Sequence, residues 1–384
     1  MVKKVFLRCL VFFSSLFLIE ATFASNYSLP RLEGITSAVL MSANSGQILF
    51  EQNAYHRVNP GDLIQLMTLE LAIEDLDRGV VSLETMIELS KDTQDVKGRR
   101  VFSHSGEKVK FYHLLESVAI ISADDACIAI ANHLGGSRNG FVELMNEKAK
   151  ELGLSSTLIG DSCGCIEDTN QQYTTAHDML QLAYYHIKRH PELLTLYSKS
   201  HFSFKGTHYR NKNYLLEYDN EYVDGLKGTQ INERTYHLVA TGSWDEARYI
   251  AIIVGAKTRK MAAYYALKLL YQGFAFFENV RLFEKGEEIA EYKVWKGESD
   301  YISLIPMHRV IVTVPKGKAQ EISLNKIIPN LITAPIKKNE KLGKLDIVLR
   351  EDVIKSIDLF PSQKMEQAHL FKRMWHNLLL KFKQ

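Results

Sequence analysis

Apolar and polar positions divide the chain into stretches of different period. Residues 36–43 are a short, mostly apolar run, broken at Asn44-Ser45-Gly46 and resumed at residues 47–51, the pattern of two strands joined by a turn. Beyond Pro60-Gly61, residues 62–77 carry Leu63, Ile64, Leu66, Met67, Leu69, Leu71, Ala72, Ile73 and Leu76. Those positions surround a helix almost completely, so the spacing predicts a helix enclosed within a domain rather than lying on its surface. Residues 111–133, 139–152 and 175–190 predict three more helices, the second stopped by Gly153 and the third by Pro191. Residues 222–227, 235–241 and 249–254 read as strands, and residues 259–277 as a further helix. Strands near both ends with helices between them predict an antiparallel sheet flanked by helices, an α+β domain over residues 25–277.

Residues 278–360 have the pattern of short alternating strands, such as Val310-Ile311-Val312-Thr313-Val314 and Leu345-Asp346-Ile347-Val348-Leu349. Turn signals at Pro315-Lys316-Gly317 and Lys338-Asn339-Glu340 separate strands, which predicts a small all-β domain. In residues 361–384 the period changes again. Phe371, Met374, Trp375, Leu378 and Phe382 recur at helical spacing, with Lys372, Arg373, His376, Lys381 and Lys383 between them. A basic amphipathic helix with aromatic residues on its apolar face suits a lipid headgroup layer. Docking against its own domain or a partner is the other use of such a face.

Composition adds limits. A chain of 384 residues, 46% hydrophobic, can build its cores without disulfides or a metal. Its first 24 residues have the layout of a secretory signal: Lys3, Lys4 and Arg8, an apolar run over residues 9–19, then small residues around Thr22-Phe23-Ala24. Export to the periplasm is the expectation, with peripheral attachment to the inner membrane through residues 361–384. Removing the segment takes away three basic residues and one acid and leaves positive and negative charge balanced. A balanced chain gives no footing for nucleic acid, which needs a basic excess. Three cysteines follow the signal: Cys127, Cys163 and Cys165. Cys127 falls in an apolar helical stretch, as a small buried residue does. A disulfide between Cys163 and Cys165 would close a strained ring, and the spacing of His and Cys suggests no metal site. No cofactor is expected.

Several segments carry a resemblance. Gly34-Ile35-Thr36-Ser37-Ala38-Val39-Leu40-Met41, Asn44-Ser45-Gly46 and Glu51-Gln52-Asn53-Ala54 resemble the opening of the low-molecular-mass penicillin-binding proteins, the serine D-alanyl-D-alanine carboxypeptidases. Pro60-Gly61-Asp62-Leu63-Ile64-Gln65 stands where that family carries Ser-x-x-Lys. Ser122-Ala123-Asp124 stands where it carries Ser-Gly-Asn, and Lys227-Gly228-Thr229 where it carries Lys-Thr-Gly. Leu152-Gly153-Leu154, Gly273-Phe274, Val294-Trp295 and Ala334-Pro335 extend the likeness to the C-terminal part. The resemblance implies a penicillin-binding, β-lactamase-like fold followed by an all-β domain, with peptidoglycan as the associated polymer.

The same resemblance implies altered chemistry. The family's nucleophilic Ser and its Lys are Asp62 and Gln65 here, an acid and a neutral amide. An Asp–Gln pair three residues apart before an apolar helix also has the form of a capping box. Asp124 replaces an amide that donates a hydrogen bond with a carboxylate that accepts. In Lys227-Gly228-Thr229 the Thr is displaced by one place, which on a strand is expected to turn its hydroxyl away from the cleft. Lys227 is expected to pair with Asp62 or Asp124. The expectation is an envelope protein that does not catalyse the family reaction and binds peptidoglycan or a peptidoglycan-modifying partner. The alternative is an active peptidoglycan hydrolase using unusual residues such as Ser122 with Lys227.

Overall fold

A five-stranded antiparallel sheet organises residues 29–275 in the computed structural model, which describes residues 29–381 apart from Lys97, Ser103, Asp219 and Asn220. The expected signal at residues 1–24, and Phe382 and Lys383, lie outside the described residues. Strands β1 (Ser37–Ser42) and β2 (Ile48–Gln52) form the expected hairpin. Strands β3 (Val223–Asn232), β4 (Thr235–Trp244) and β5 (Ala247–Ala256) complete the sheet in the order β2-β1-β5-β4-β3. The apolar run of β1 is buried along its whole length, as expected of a strand deep in the sheet. The β3 strand lies at one margin and carries Lys227-Gly228-Thr229.

The longer helices among the described residues of this unit are α1 (Gln65–Asp77), α2 (Phe111–Ile121), α3 (Asp124–Gly135), α4 (Arg138–Glu151), α5 (Ala176–Arg189) and α6 (Arg259–Phe276). In α1, Leu66, Met67, Leu69 and Ile73 are buried, each contributing about 1.5–3 kcal/mol of apolar transfer free energy. The polar residues among them are bound internally: Glu70 Oε2 lies 2.6 Å from His186 Nδ1 of α5, and His186 Nε2 2.9 Å from Tyr197 Oη. Thr175 caps α5, its hydroxyl accepting from the Asp178 N–H.

One expected helix is two. Residues 111–133 read as a single apolar stretch, yet Ser122 adopts φ 55° and ψ 52°, the left-handed conformation that ends a helix and turns the chain. The Ser122 and Ala123 N–H groups close α2 on Val118 and Ser117 carbonyls, and α3 starts afresh at Asp124. Hydrophobic period cannot register this break, because residues on both sides are buried.

Residues 276 onward form a second compact unit, all-β apart from a last helix and one short helical turn. Its six-stranded sheet includes the parallel pairing of Ala290–Trp295 with Ile332–Thr333, and Phe277–Phe283 pairs separately with Val310–Pro315. Val294, Leu304, Val312, Val314, Leu345, Ile347 and Leu359 form its core. Residues beyond Pro361 stay pinned by backbone bonds from Ser362, Met365 and Ala368 before α7 (Leu370–Lys381) begins.

Candidate functional site

Three chain segments meet at the start of α1, at the turn between α2 and α3, and on β3. Asp62 stands in a single 3-10 turn, Gly61–Ile64, that precedes α1. The turn requires its glycine: φ is +51° and a Cβ would stand 2.5 Å from Ile231 Cδ1 and 2.9 Å from Thr229 Oγ1. The expected capping box does not form. Neither Asp62 nor Gln65 caps the helix, because the 3-10 turn puts Gln65 at the first α-helical position and points its amide inward. Gln65 Nε2 donates to Asp124 Oδ1 at 3.1 Å and to the Cys163 carbonyl at 3.0 Å. The amide has taken up a bridging role between two other segments of the site.

Asp124 is the centre of that bridge. Its Oδ2 accepts from the Arg99 N–H at 2.7 Å, and a Cβ at Gly98 would lie 1.8 Å from the same oxygen. Only glycine lets the backbone approach so closely. Neighbouring Asp125 accepts from the Val101 and Phe102 N–H groups, both at 2.8 Å, so two adjacent carboxylates hold residues 98–102 in place. Burial and the nearby Asp62 charge raise the Asp124 carboxyl to about 7. Burial also raises Asp62, against the opposing pull of Lys227 and Arg99.

The pairing expected of Lys227 is corrected. Its ammonium donates to the Val118 carbonyl at 2.6 Å, and neither Asp62 nor Asp124 forms an ion pair with it among the described residues. The Val118 carbonyl already accepts from the Ser122 N–H, and its second lone pair takes the buried ammonium, which needs an acceptor. Burial lowers Lys227 to about 8. The cation nearest Asp62 is instead Arg99, whose Nη1 stands 3.9 Å from Asp62 Oδ2 and donates to the Ile121 and Ser122 carbonyls. Sequence reasoning missed Arg99. Its one signal was the dibasic Arg99-Arg100 next to Gly98, in a stretch with neither helical nor strand period.

The expectation for Thr229 is also corrected. Its hydroxyl does not turn away; it accepts from the Asp62 N–H at 3.3 Å, because residues 227 and 229 share one face of β3. An acyl-transfer site needs donors free to face developing charge, and this N–H already has a partner. Ser122 is buried at the left-handed turn. Asn211, Lys212 and Asn213 form a bonded turn against α2, with the Lys212 N–H donating to the Ile120 carbonyl.

Folding also gathers sulfur. Asp124, Cys163 and Cys165 present ligating atoms within 4.8 Å of one another, a convergence that spacing along the chain could not reveal. The fit to a zinc ion is poor. Three donors fall short of a closed tetrahedral set, and the sulfurs lie 2.7 Å apart where two thiolates on one ion stand at about 3.8 Å.

The profile of the D-alanyl-D-alanine carboxypeptidase family matches residues 29–258, and that of the penicillin-binding protein 5 C-terminal domain matches residues 277–367. The chain belongs to the D-alanyl-D-alanine carboxypeptidase family. It is 31% identical to the D-alanyl-D-alanine carboxypeptidase DacC of Escherichia coli over 90% of this chain and 88% of that one. It is 30% identical to DacA of the same organism, over 92% and 89%. Penicillin-binding protein 5 of Haemophilus influenzae superposes with a TM-score of 0.84 at 29% identity, covering 89% of this chain and all of that one. The family fold is thus kept over the penicillin-binding domain and the all-β domain alike.

Proposed function

We propose that this chain is a non-catalytic member of the D-alanyl-D-alanine carboxypeptidase family, acting in the bacterial envelope as a peptidoglycan- or partner-binding protein. The observation that carries this reading is the pair at the start of α1. Position 62 offers a carboxylate and position 65 an amide already committed to Asp124 and Cys163. A carboxylate cannot form the acyl-serine ester, and the amide cannot take a proton. The amine that remains, Lys227, is held on a carbonyl. Purified protein treated with excess penicillin is expected to keep its intact mass. A covalent adduct would overturn the reading.

The lowered Lys227 favours a second reading, in which an amine poised near neutral pH activates Ser122. Mapping any penicillin adduct to Ser122 would establish it. Against it stand the Lys227–Val118 bond and the occupied Asp62 N–H.

Attachment to a membrane surface belongs to the same proposal and is supported by α7. No helix among the described residues is long and apolar enough to cross a membrane. Phe371 is 86% exposed, and Leu370, Met374 and Trp375 are exposed beside it. The helix is also docked: buried His376 accepts from the Lys296 N–H at 2.7 Å, and Lys372 pairs with Asp300 at 2.9 Å. His376, expected on the polar face, is the anchor to its own domain. Phe371→Glu with Trp375→Glu is expected to abolish sedimentation with anionic vesicles while leaving the fold intact by circular dichroism. Unchanged sedimentation would remove α7 as the attachment.

A further inference from the structure

The Cys163-Gly164-Cys165 segment rests on the altered nucleophile position. Gly164 has φ +83°, and a Cβ there would stand 2.2 Å from the Gly61 carbonyl oxygen and 3.1 Å from the Asp62 N. The left-handed glycine folds the chain so that both flanking side chains turn the same way. Cys163 is buried and Cys165 is exposed, with their sulfurs 2.7 Å apart. On the buried side, the Cys163 thiol donates to Asp161 Oδ1 at 2.9 Å, and the Cys163 N–H donates to the same oxygen at 2.7 Å. Asp161 is fixed from behind by Arg138 at 3.1 Å.

This arrangement has the parts a thiol exchange needs: an accessible attacking thiol, a shielded resolving thiol beside it, and a carboxylate on the second. We propose that Cys163 and Cys165 form a reversible dithiol–disulfide pair that exchanges with small or protein disulfides, Cys165 attacking and Cys163 resolving.

The steps balance. The Cys165 thiolate attacks one sulfur of the incoming disulfide, forming a mixed disulfide and releasing one thiolate. Cys163 then gives its proton to Asp161 Oδ1 and attacks Cys165 Sγ, displacing the second thiolate. The protein loses two thiol hydrogens and the incoming disulfide becomes two thiols, their protons coming from solvent and from Asp161. A bridge between cysteines separated by one residue closes a strained ring, and strained bridges are the easily reduced, exchangeable ones. Cys127 is buried within α3 and takes no part. The exchange does not depend on whether the cleft hydrolyses anything. Closing the bridge would stiffen the loop that carries the Cys163 carbonyl, the acceptor of Gln65.

The test uses the purified chain with oxidised and reduced glutathione, read by intact mass and by peptide mapping after acid quench and alkylation. Oxidised glutathione is expected to remove the two thiol hydrogens and link Cys163 to Cys165, and reduced glutathione to restore both thiols. Cys163→Ser is expected to accumulate glutathione on Cys165, whereas Cys165→Ser leaves Cys163 unmodified. Asp161→Asn is expected to slow closure about 100-fold, the low end of what a positioned base supplies. The same change placed in the Cys163→Ser background should leave the adduct rate on Cys165 unchanged. Should Cys163→Ser fail to fold, the wild-type time course serves: an adduct on Cys165 must precede the internal bridge. The proposal is overturned by thiols that persist in oxidised glutathione, by a stable adduct that never closes, or by a bridge to Cys127. It is equally overturned if zinc alone protects both thiols from alkylation, which would make the pair a metal site.

Discussion

Asp124→Asn is expected to flatten the pH dependence of stability between pH 4 and pH 7. In the folded chain the Asp124 carboxyl titrates near 7 rather than at 3.8, so above pH 4 the unfolded chain sheds a proton that the folded chain keeps. Stability therefore falls as pH rises towards 7 and levels off beyond it. A displacement of that size corresponds to on the order of 4 kcal/mol. Lys227 acts over a different window. Its folded value near 8 lies below the ordinary 10.5, so its contribution to stability is recovered as pH rises from 8 to 10.5. The fold is thus least favoured by this site near pH 7–8. Urea unfolding at pH 4.5 and pH 8 measures the effect. In Asp124→Asn the difference between the two pH values should shrink by about that amount, leaving the slope that Asp62, also raised, supplies. An unchanged difference would mean that Asp124 is not the protonated group.

Restoring the first motif alone is expected to recover little activity. Gln65→Lys would place an ammonium where the Gln65 amide now lies 3.1 Å from Asp124 Oδ1. A lysine beside a carboxylate is held protonated, and a protonated amine cannot act as a base. Asp62→Ser with Gln65→Lys should therefore release almost no D-alanine from a D-Ala-D-Ala peptide. Adding Asp124→Asn to that pair is expected to raise the rate about 100-fold, the low end of general base catalysis. Thr229 on the residue 62 N–H keeps even the triple variant below an unaltered relative. Substantial activity from the double variant would show that the second and third motifs matter less than the first.

The sheet and most helices were legible because period and burial agree there. The run Ser37-Ala38-Val39-Leu40-Met41 had to be a buried strand, and the apolar circumference of α1 had to be interior. The break at Ser122 was not legible, since a left-handed residue between two buried helices leaves the apolar pattern intact. At the site, the substituted positions could be named from spacing alone, but their partners could not. Gln65 meets Asp124 and Cys163 across 59 and 98 residues of chain, and Lys227 meets Val118 across 109. Such contacts are fixed by how α1, α2 and β3 cross, which no local pattern records. Arg99 escaped notice for a related reason: it acts through its backbone N–H as much as through its charge, and every residue but proline has that donor.

The place of β3 at the margin of the sheet separates two properties that the family's enzymes hold together. A strand pairs through main-chain amides and carbonyls, and changing Thr for Gly or Gly for Thr alters neither. On the non-catalytic reading proposed above, exchange of motif letters removes bond breaking without removing a single main-chain amide or carbonyl from residues 223–232. On that reading, grip and scission are coded in different atoms.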